Sequence, residues 1–300
     1  MDRVTKFLAH EGRVSLICAS TTDLVEEIRN IHDLTPTTTA ALGRFATIAG
    51  MMGLTEIKDE EQSITIQMNG KGPMGTLLGV VKRSDNTSKI KVCADNPYVE
   101  ISLKDNGKLD VGTAIGTDGY LNIINKNEIT DTDYSGLVPI VSGEIAEDFT
   151  EYFAKSQQKP TVIALGVLVN KDGVKAAGGY MIQLMPDATE EDITKIENAL
   201  ENAPSISQMI DEGKSLEEIA MTVSGDDNIM VLAGEVKIKY ECDCNKEKFE
   251  RGLISIGKEE IEKMIEEDGK ADTTCHFCNK KYHFSKEDLE KILNKLQDLN

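Results

Sequence analysis

Two pairs of cysteines near the end of the chain leave it few ways to fold there: Cys242 and Cys244 in "YECDCNKEKF", and Cys275 and Cys278 in "TTCHFCNKKY". Each pair places two sulfurs on one tight turn, and residues 245–274 between them are enough for a small unit that brings the turns together. That is the ligand spacing of a tetrahedral four-sulfur zinc site. The opening "MDRVTKFLAHEGRVSLICAS" carries acids at Asp2 and Glu11 and no apolar run long enough for a signal peptide, so the sequence reads as cytoplasmic. In a reducing compartment a metal site is favoured over a standing disulfide framework. His276 and His283 are the alternative ligands for one sulfur, although His276 lies inside the Cys-x-x-Cys turn and would point away.

The cysteines occupy a terminal piece too small for a large core, so zinc would supply much of its folding energy, on the order of 10 kcal/mol. Zinc-held thiolates remain nucleophilic enough to meet peroxide or hypochlorous acid, passing through sulfenic acids to disulfides with a near neighbour. A disulfide is not a thiolate ligand, so metal and stability would leave together.

The rest of the chain predicts an α+β fold in three parts. Residues 1–186 read as a mixed domain with an antiparallel sheet: strands at 63–68, 76–82, 88–94, 98–104 and 119–125 follow one another across Gly, Asn and Asp turns without intervening helices. A helix over 142–158 capped by Ser142 comes next, then a hairpin over 161–186 turning at Asn170–Gly173. Residues 187–229 form an acidic helical linker with apolar stripes at Ile193, Ile196, Leu200, then Ile206, Met209, Ile210, then Leu216, Ile219, Ala220. Ser205 with Gln208 and Ser215 with Glu218 read as capping boxes. Helices this short need something to lie against. Residues 230–300 form the third part, a small zinc-binding domain: a strand "EVKIKYECDC" enters the first cysteine pair, and helices follow at 258–268, stopped by Gly269, and 285–296, capped by Ser285.

Charge and hydropathy exclude two partner classes. The net charge of −19 argues against a nucleic-acid groove or an anionic membrane surface. Twelve acids against two lysines in 187–229 put over half of that charge on the linker, which favours its unfolding once support is lost. The apolar segment 35–54 has Thr35 and Pro36 as a helix start, and Arg44 near its middle marks a buried core helix rather than a membrane span.

The tail from "YECDCNKEKF" to "KEDLEKIL" resembles the zinc-binding domain of the heat shock protein 33 (33-kDa chaperonin) family of redox-regulated chaperones. The likeness extends over the whole chain through "HDLTPTTTAALGR", "GKGPMG", "YSGLVPIVSGEIAEDFTEYFAKSQQ" and "AAGGYMIQLMP", in the family's order. It implies an ATP-independent holdase, not an enzyme, that is inactive while reduced and zinc-bound. Oxidation to Cys242–Cys244 and Cys275–Cys278 disulfides would release zinc, unfold the linker, expose apolar surface to unfolding client proteins and allow homodimers to form. The sequence departs from the family pattern at Asn245 and Lys246 (commonly Ser-Arg), Gln157 (Glu) and Tyr240 (Phe).

A thiol-disulfide oxidoreductase using Cys275–Cys278 would need a thioredoxin-like βαβ context, and a zinc-ribbon interaction module for nucleic acid would need basic charge. Elsewhere, Cys18 and Cys93 read as packing thiols. "GKGPMG" lacks the Lys-Ser/Thr of a phosphate loop and reads as a tight turn. Glu144 and Asp148 read as a solvated helical face, and His10 and His32 are assigned no chemistry.

Overall fold

In the computed structural model, which describes residues 2–127 and 132–298, strands β1 (Arg3–Ala9) and β2 (Val14–Ser20) meet at a corner where His10 and Glu11 both take positive φ, 51° and 59°. Helix α1 (Thr22–His32) is capped from outside: the buried Asp2 carboxylate accepts from the Asp23 and Leu24 amides at 3.2 and 2.5 Å. Helix α2 (Pro36–Thr55) starts where Thr35 and Pro36 predict, with the Thr35 hydroxyl accepting from the Thr38 amide. It is buried on nearly every side, and its single charge, Arg44, pairs with Glu144 at 2.7 Å. An all-round apolar helix of this kind is a core element.

Strands β3 (Gln62–Asn69), β4 (Leu77–Ser84) and β5 (Thr87–Ala94) form a meander, with "GKGPMG" as the turn between the first two. After helix α3 (Val111–Ile115) come β6 (Tyr120–Asn127), β7 (Thr132–Pro139), helix α4 (Ala146–Lys155) and the hairpin β8 (Thr161–Asn170) and β9 (Gly173–Leu184). The predicted strand at 98–104 is not formed. Its Val99 carbonyl is instead taken by the Thr35 hydroxyl at 2.7 Å, and Tyr98 and Leu103 are exposed. The helix expected from Ser142 begins four residues later. Asp148 gathers the amides of Val141, Ser142, Gly143 and Ile145, at 2.7 to 3.3 Å, and that loop takes the place of the first helical turn.

The acidic linker contains α5 (Glu190–Asn202), α6 (Ile206–Asp211) and α7 (Leu216–Ser224), followed by strand β10 (Met230–Tyr240). All ten strands form one sheet in the order β7-β6-β3-β4-β5-β10-β1-β2-β9-β8. Every pairing is antiparallel except that of β10 with β5, which is parallel and runs only over Lys237–Tyr240. The fold is α+β with an antiparallel-dominated sheet. The strand read from sequence as the start of the zinc piece therefore joins the large sheet, because Val236, Ile238 and Tyr240 bury their alternate face there. The chain divides into compact units at Met1–Glu241 and Cys242–Asn300.

The second unit consists of α8 (Lys246–Ile256), α9 (Lys258–Glu267), the hairpin β11 (Lys270–Thr274) and β12 (Lys281–Ser285), and α10 (Lys286–Asp298). Gly269, at φ 63°, ends α9 by donating to the Met264 carbonyl. Ser285 and Asp288 bond reciprocally at the start of α10. Its core consists of Leu253, Ile261, Tyr282, Phe284, Leu289 and Ile292.

Candidate metal centre

Local structure presents both sulfur pairs. Cys242 and Cys244 precede α8, where the Asn245 side chain accepts from the Lys248 amide at 2.8 Å and fixes the helix start. Cys275 and Cys278 sit in the turn of the β11–β12 hairpin. There the Cys275 amide donates to the Lys280 carbonyl at 2.9 Å, and the Asn279 amide donates back to the Cys275 carbonyl at 2.8 Å. Asn279 takes φ 57°, the left-handed conformation that closes the knuckle.

The four sulfurs lie within 4.8 Å of one another. Cys242 is 3.7 Å from Cys275 and Cys244 is 3.4 Å from Cys278, so the two pairs interlock across the site. This set is positioned to hold one metal ion, and an all-thiolate donor set suits a soft or borderline ion such as zinc. Neither histidine belongs to it: His276 is exposed, and His283 Nδ1 lies 2.8 Å from Asp272. Burial pushes the Cys242 and Cys278 thiols up. Burial acts the same way on Cys244, yet hydrogen bonds from Tyr282 and the neighbouring sulfurs bring it below its ordinary value. The Tyr282 hydroxyl, 3.1 Å from Cys244 Sγ, is correspondingly raised because its proton is held by that sulfur.

In the first unit the linker helices lie on one face of the sheet. Phe7, Ala9, Val14, Leu16, Cys18, Tyr180 and Ile182 from the strands share a core with Ile196, Ile206, Met209, Leu216, Ile219, Ala220 and Val223 from the helices. The predicted stripes point inward except at Ile193, which is half-buried outside this core. Gly166 and Gly178 stand opposite each other in β8 and β9 and form the seat for α6. A Cβ on Gly166 would meet Ile206 Cγ2 at 2.8 Å, and one on Gly178 would collide with Ile210. Ser215 and Glu218 form the predicted capping box, whereas Gln208 turns away from Ser205 to Glu212.

Sequence reasoning missed a buried charged clamp on this layer. Arg13 binds both oxygens of Asp192 at 2.8 and 3.1 Å, and Asp192 also closes a capping box with Thr189. His10 places Nδ1 3.3 Å from Asp192 and Nε2 2.9 Å from the Ser224 carbonyl, while its amide donates to Asp226. The Arg13 guanidinium holds the Asp192 carboxyl well below the usual carboxylate range. Thr189-x-x-Asp192 was a legible signal for the helix start, but its partners at positions 10 and 13 were not.

A profile described as "Hsp33 protein" matches residues 2–285. The chain belongs to the Hsp33 family. It is 42% identical over 295 residues to the 33 kDa chaperonin of Clostridioides difficile, covering 98% of this chain and 99% of that one. The 33 kDa chaperonin of Alkaliphilus metalliredigens is 43% identical over 297 residues, covering 98% and 99%. The crystal structure of the Thermotoga maritima Hsp33 homologue superposes with a TM-score of 0.87 at 32% identity, covering 99% of each chain.

The departures from the Hsp33 pattern each find a local role. Asn245 caps α8, Lys246 pairs with Asp288 at 2.8 Å, Gln157 donates to the Tyr152 hydroxyl at 3.0 Å, and the Tyr240 hydroxyl donates to the Val92 carbonyl at 3.2 Å. Cys18 and Cys93 are buried. Asp148 organises the loop before α4, and Glu144 lies in that loop and pairs with Arg44 and Lys104, so the two carboxylates are built into the fold rather than forming a solvated helical face.

Proposed function

We propose that this chain is an ATP-independent holdase of the cytoplasm, closed while reduced and zinc-loaded and opened by oxidation. Residues 1–186 form its chaperone domain, 187–229 the covering linker, and the four-sulfur tail its redox switch. The observation that carries this reading is the interlocked cluster of Cys242, Cys244, Cys275 and Cys278, which begins two residues after β10 ends. β10 follows the linker directly in sequence, so the linker and the first cysteine pair are joined by a single strand.

Zinc would be held by these four thiolates and would supply a cross-link among them. On oxidation a cysteine thiolate attacks peroxide, its sulfur takes an oxygen and hydroxide leaves. The neighbouring thiol then displaces water from the sulfenic acid to give a disulfide. Pairing within each short-spaced pair consumes one peroxide, two in all, and leaves no thiolate to ligate. The tail then loses its main cross-link, the loss of order spreads along the chain through β10, and the acidic helices lose their footing on the sheet. The uncovered strand face, with the already exposed Met230, Val231 and Leu232, binds unfolding clients and a second opened copy.

The test is to warm the protein with peroxide while following zinc release, free thiols and aggregation of a heat-denatured enzyme. Zinc loss accompanied by suppressed aggregation is expected from the oxidised form alone. Equal protection by both forms would remove the switch, and catalytic reduction of insulin would point to an oxidoreductase instead.

A further inference from the structure

The hairpin that carries the second cysteine pair also reaches back to the first. Tyr282 lies in β12, opposite Thr273 of β11, four residues beyond Cys278. Its hydroxyl donates to Cys244 Sγ at 3.1 Å. The ring is 8% exposed and held on its face by Phe249 of α8, with centroids 4.8 Å apart and planes 30° apart. Lys280 Nζ lies 5.5 Å from the ring centroid. Phe249 belongs to the helix that Cys244 leads into, so one side chain locks the orientation of another across the two halves of the site.

The four sulfurs are thus not equivalent. Among the described residues Tyr282 is the one phenol on the cluster, and its bond goes to a single sulfur. An O–H···S bond withdraws electron density from the sulfur that accepts it, stabilising the charged form and making it a weaker nucleophile. Groups that hold a ligand from behind in this way commonly contribute ten- to hundredfold to metal affinity.

We propose that Tyr282 is a positioning residue for the metal centre, holding Cys244 as the anchoring thiolate, the most firmly ligated and the slowest of the four to react. This rests on the metal-centre reading and deepens it by assigning an order to the sulfurs. Attack then begins elsewhere in the cluster, and Cys244 is the last connection between the first turn and the metal.

Tyr282→Phe in the full chain tests this, since it keeps the ring against Phe249 and removes only the hydroxyl. Two readouts are taken on zinc-loaded protein: zinc affinity by chelator competition, and the alkylation rate of each cysteine by peptide mass spectrometry. The expected result is a zinc affinity lower by roughly tenfold or more, together with a several-fold faster alkylation confined to Cys244. Unchanged affinity and unchanged Cys244 rate would overturn the proposal. So would an equal acceleration at all four cysteines, because that is the signature of a loosened fold rather than a lost bond. Neither readout needs a client protein. Failure of the oxidised chain to act as a holdase would therefore refute the functional reading while leaving the Tyr282 result to be judged separately.

Discussion

The acidic linker and the cysteine unit are both built largely from short helices, yet they are held by different means. The linker carries most of the chain's excess negative charge, but it shares its core in equal parts with a ten-stranded sheet and is pinned by Arg13 to Asp192. The cysteine unit has better-balanced charge and a core of six buried side chains, with Cys244 packed against it. A core of that size offers little surplus over conformational entropy. The segment that looks weak in sequence is supported by tertiary packing, and the segment with ordinary composition has only a small core beside four cysteines positioned to hold a metal ion.

The largest test of that contrast is metal removal. Chelation, or Cys275→Ser, should remove stabilisation on the order of 10 kcal/mol from the cysteine unit, seen as loss of amide protection across 246–296 while β3–β6 stay protected. If the unit stays folded without metal, the six-residue core is sufficient and the contrast fails.

Next comes Asp192→Ala. It leaves the half-buried Arg13 without its bidentate partner and removes the Asp192 half of the α5 capping box, the Thr189 cap remaining, and should destabilise the linker layer by about 3 kcal/mol. Hydrogen exchange over 190–224 should accelerate without any change in zinc content.

Gly166→Ala is expected to cost about 1–3 kcal/mol by overpacking the seat of α6, read as a lower melting temperature and faster exchange at 206–211. Ser215→Ala should cost about 1 kcal/mol through loss of the α7 cap, with exchange rising first at 216–219.

The smallest effect is one of pH. The Asp192 carboxyl is depressed in the folded state, so its stabilising contribution is complete above the unfolded carboxylate value of about 3.9 and is lost as pH falls through and below it. Zinc-independent linker protection should therefore hold between pH 7 and 5 and decline toward pH 3, and the decline should be shallower in Asp192→Asn.

Features set by local chemistry were legible from sequence. The cysteine spacing announced a four-sulfur cluster, Thr35-Pro36 announced a buried helix, Asn170–Gly173 a hairpin turn, and the three-and-four spacing of linker apolar residues their inward faces. What escaped depends on partners far along the chain. "YVEISLK" alternates like a strand but has no neighbour to pair with, and Thr35 satisfies part of its backbone. β7 was overlooked because Tyr134 and Leu137 are exposed on an edge, which gives no inside-outside pattern to follow. β10 reads correctly as a strand, but its place between β1 and β5 is fixed by pairings across more than 140 residues of sequence. Arg13 and His10 carry no motif at all. Their role appears only when the β1–β2 corner meets α5.

The position of β10 has a consequence for how the protein is made. The strand in the middle of the sheet is the last of the ten to leave the ribosome, since its nearest predecessor in sequence ends at Leu184. Until residue 240 has emerged, β5 and β1 both present open edges, the kind of surface on which nascent chains stick together. A member of a chaperone family thus passes through a stage of synthesis in which it needs shielding itself.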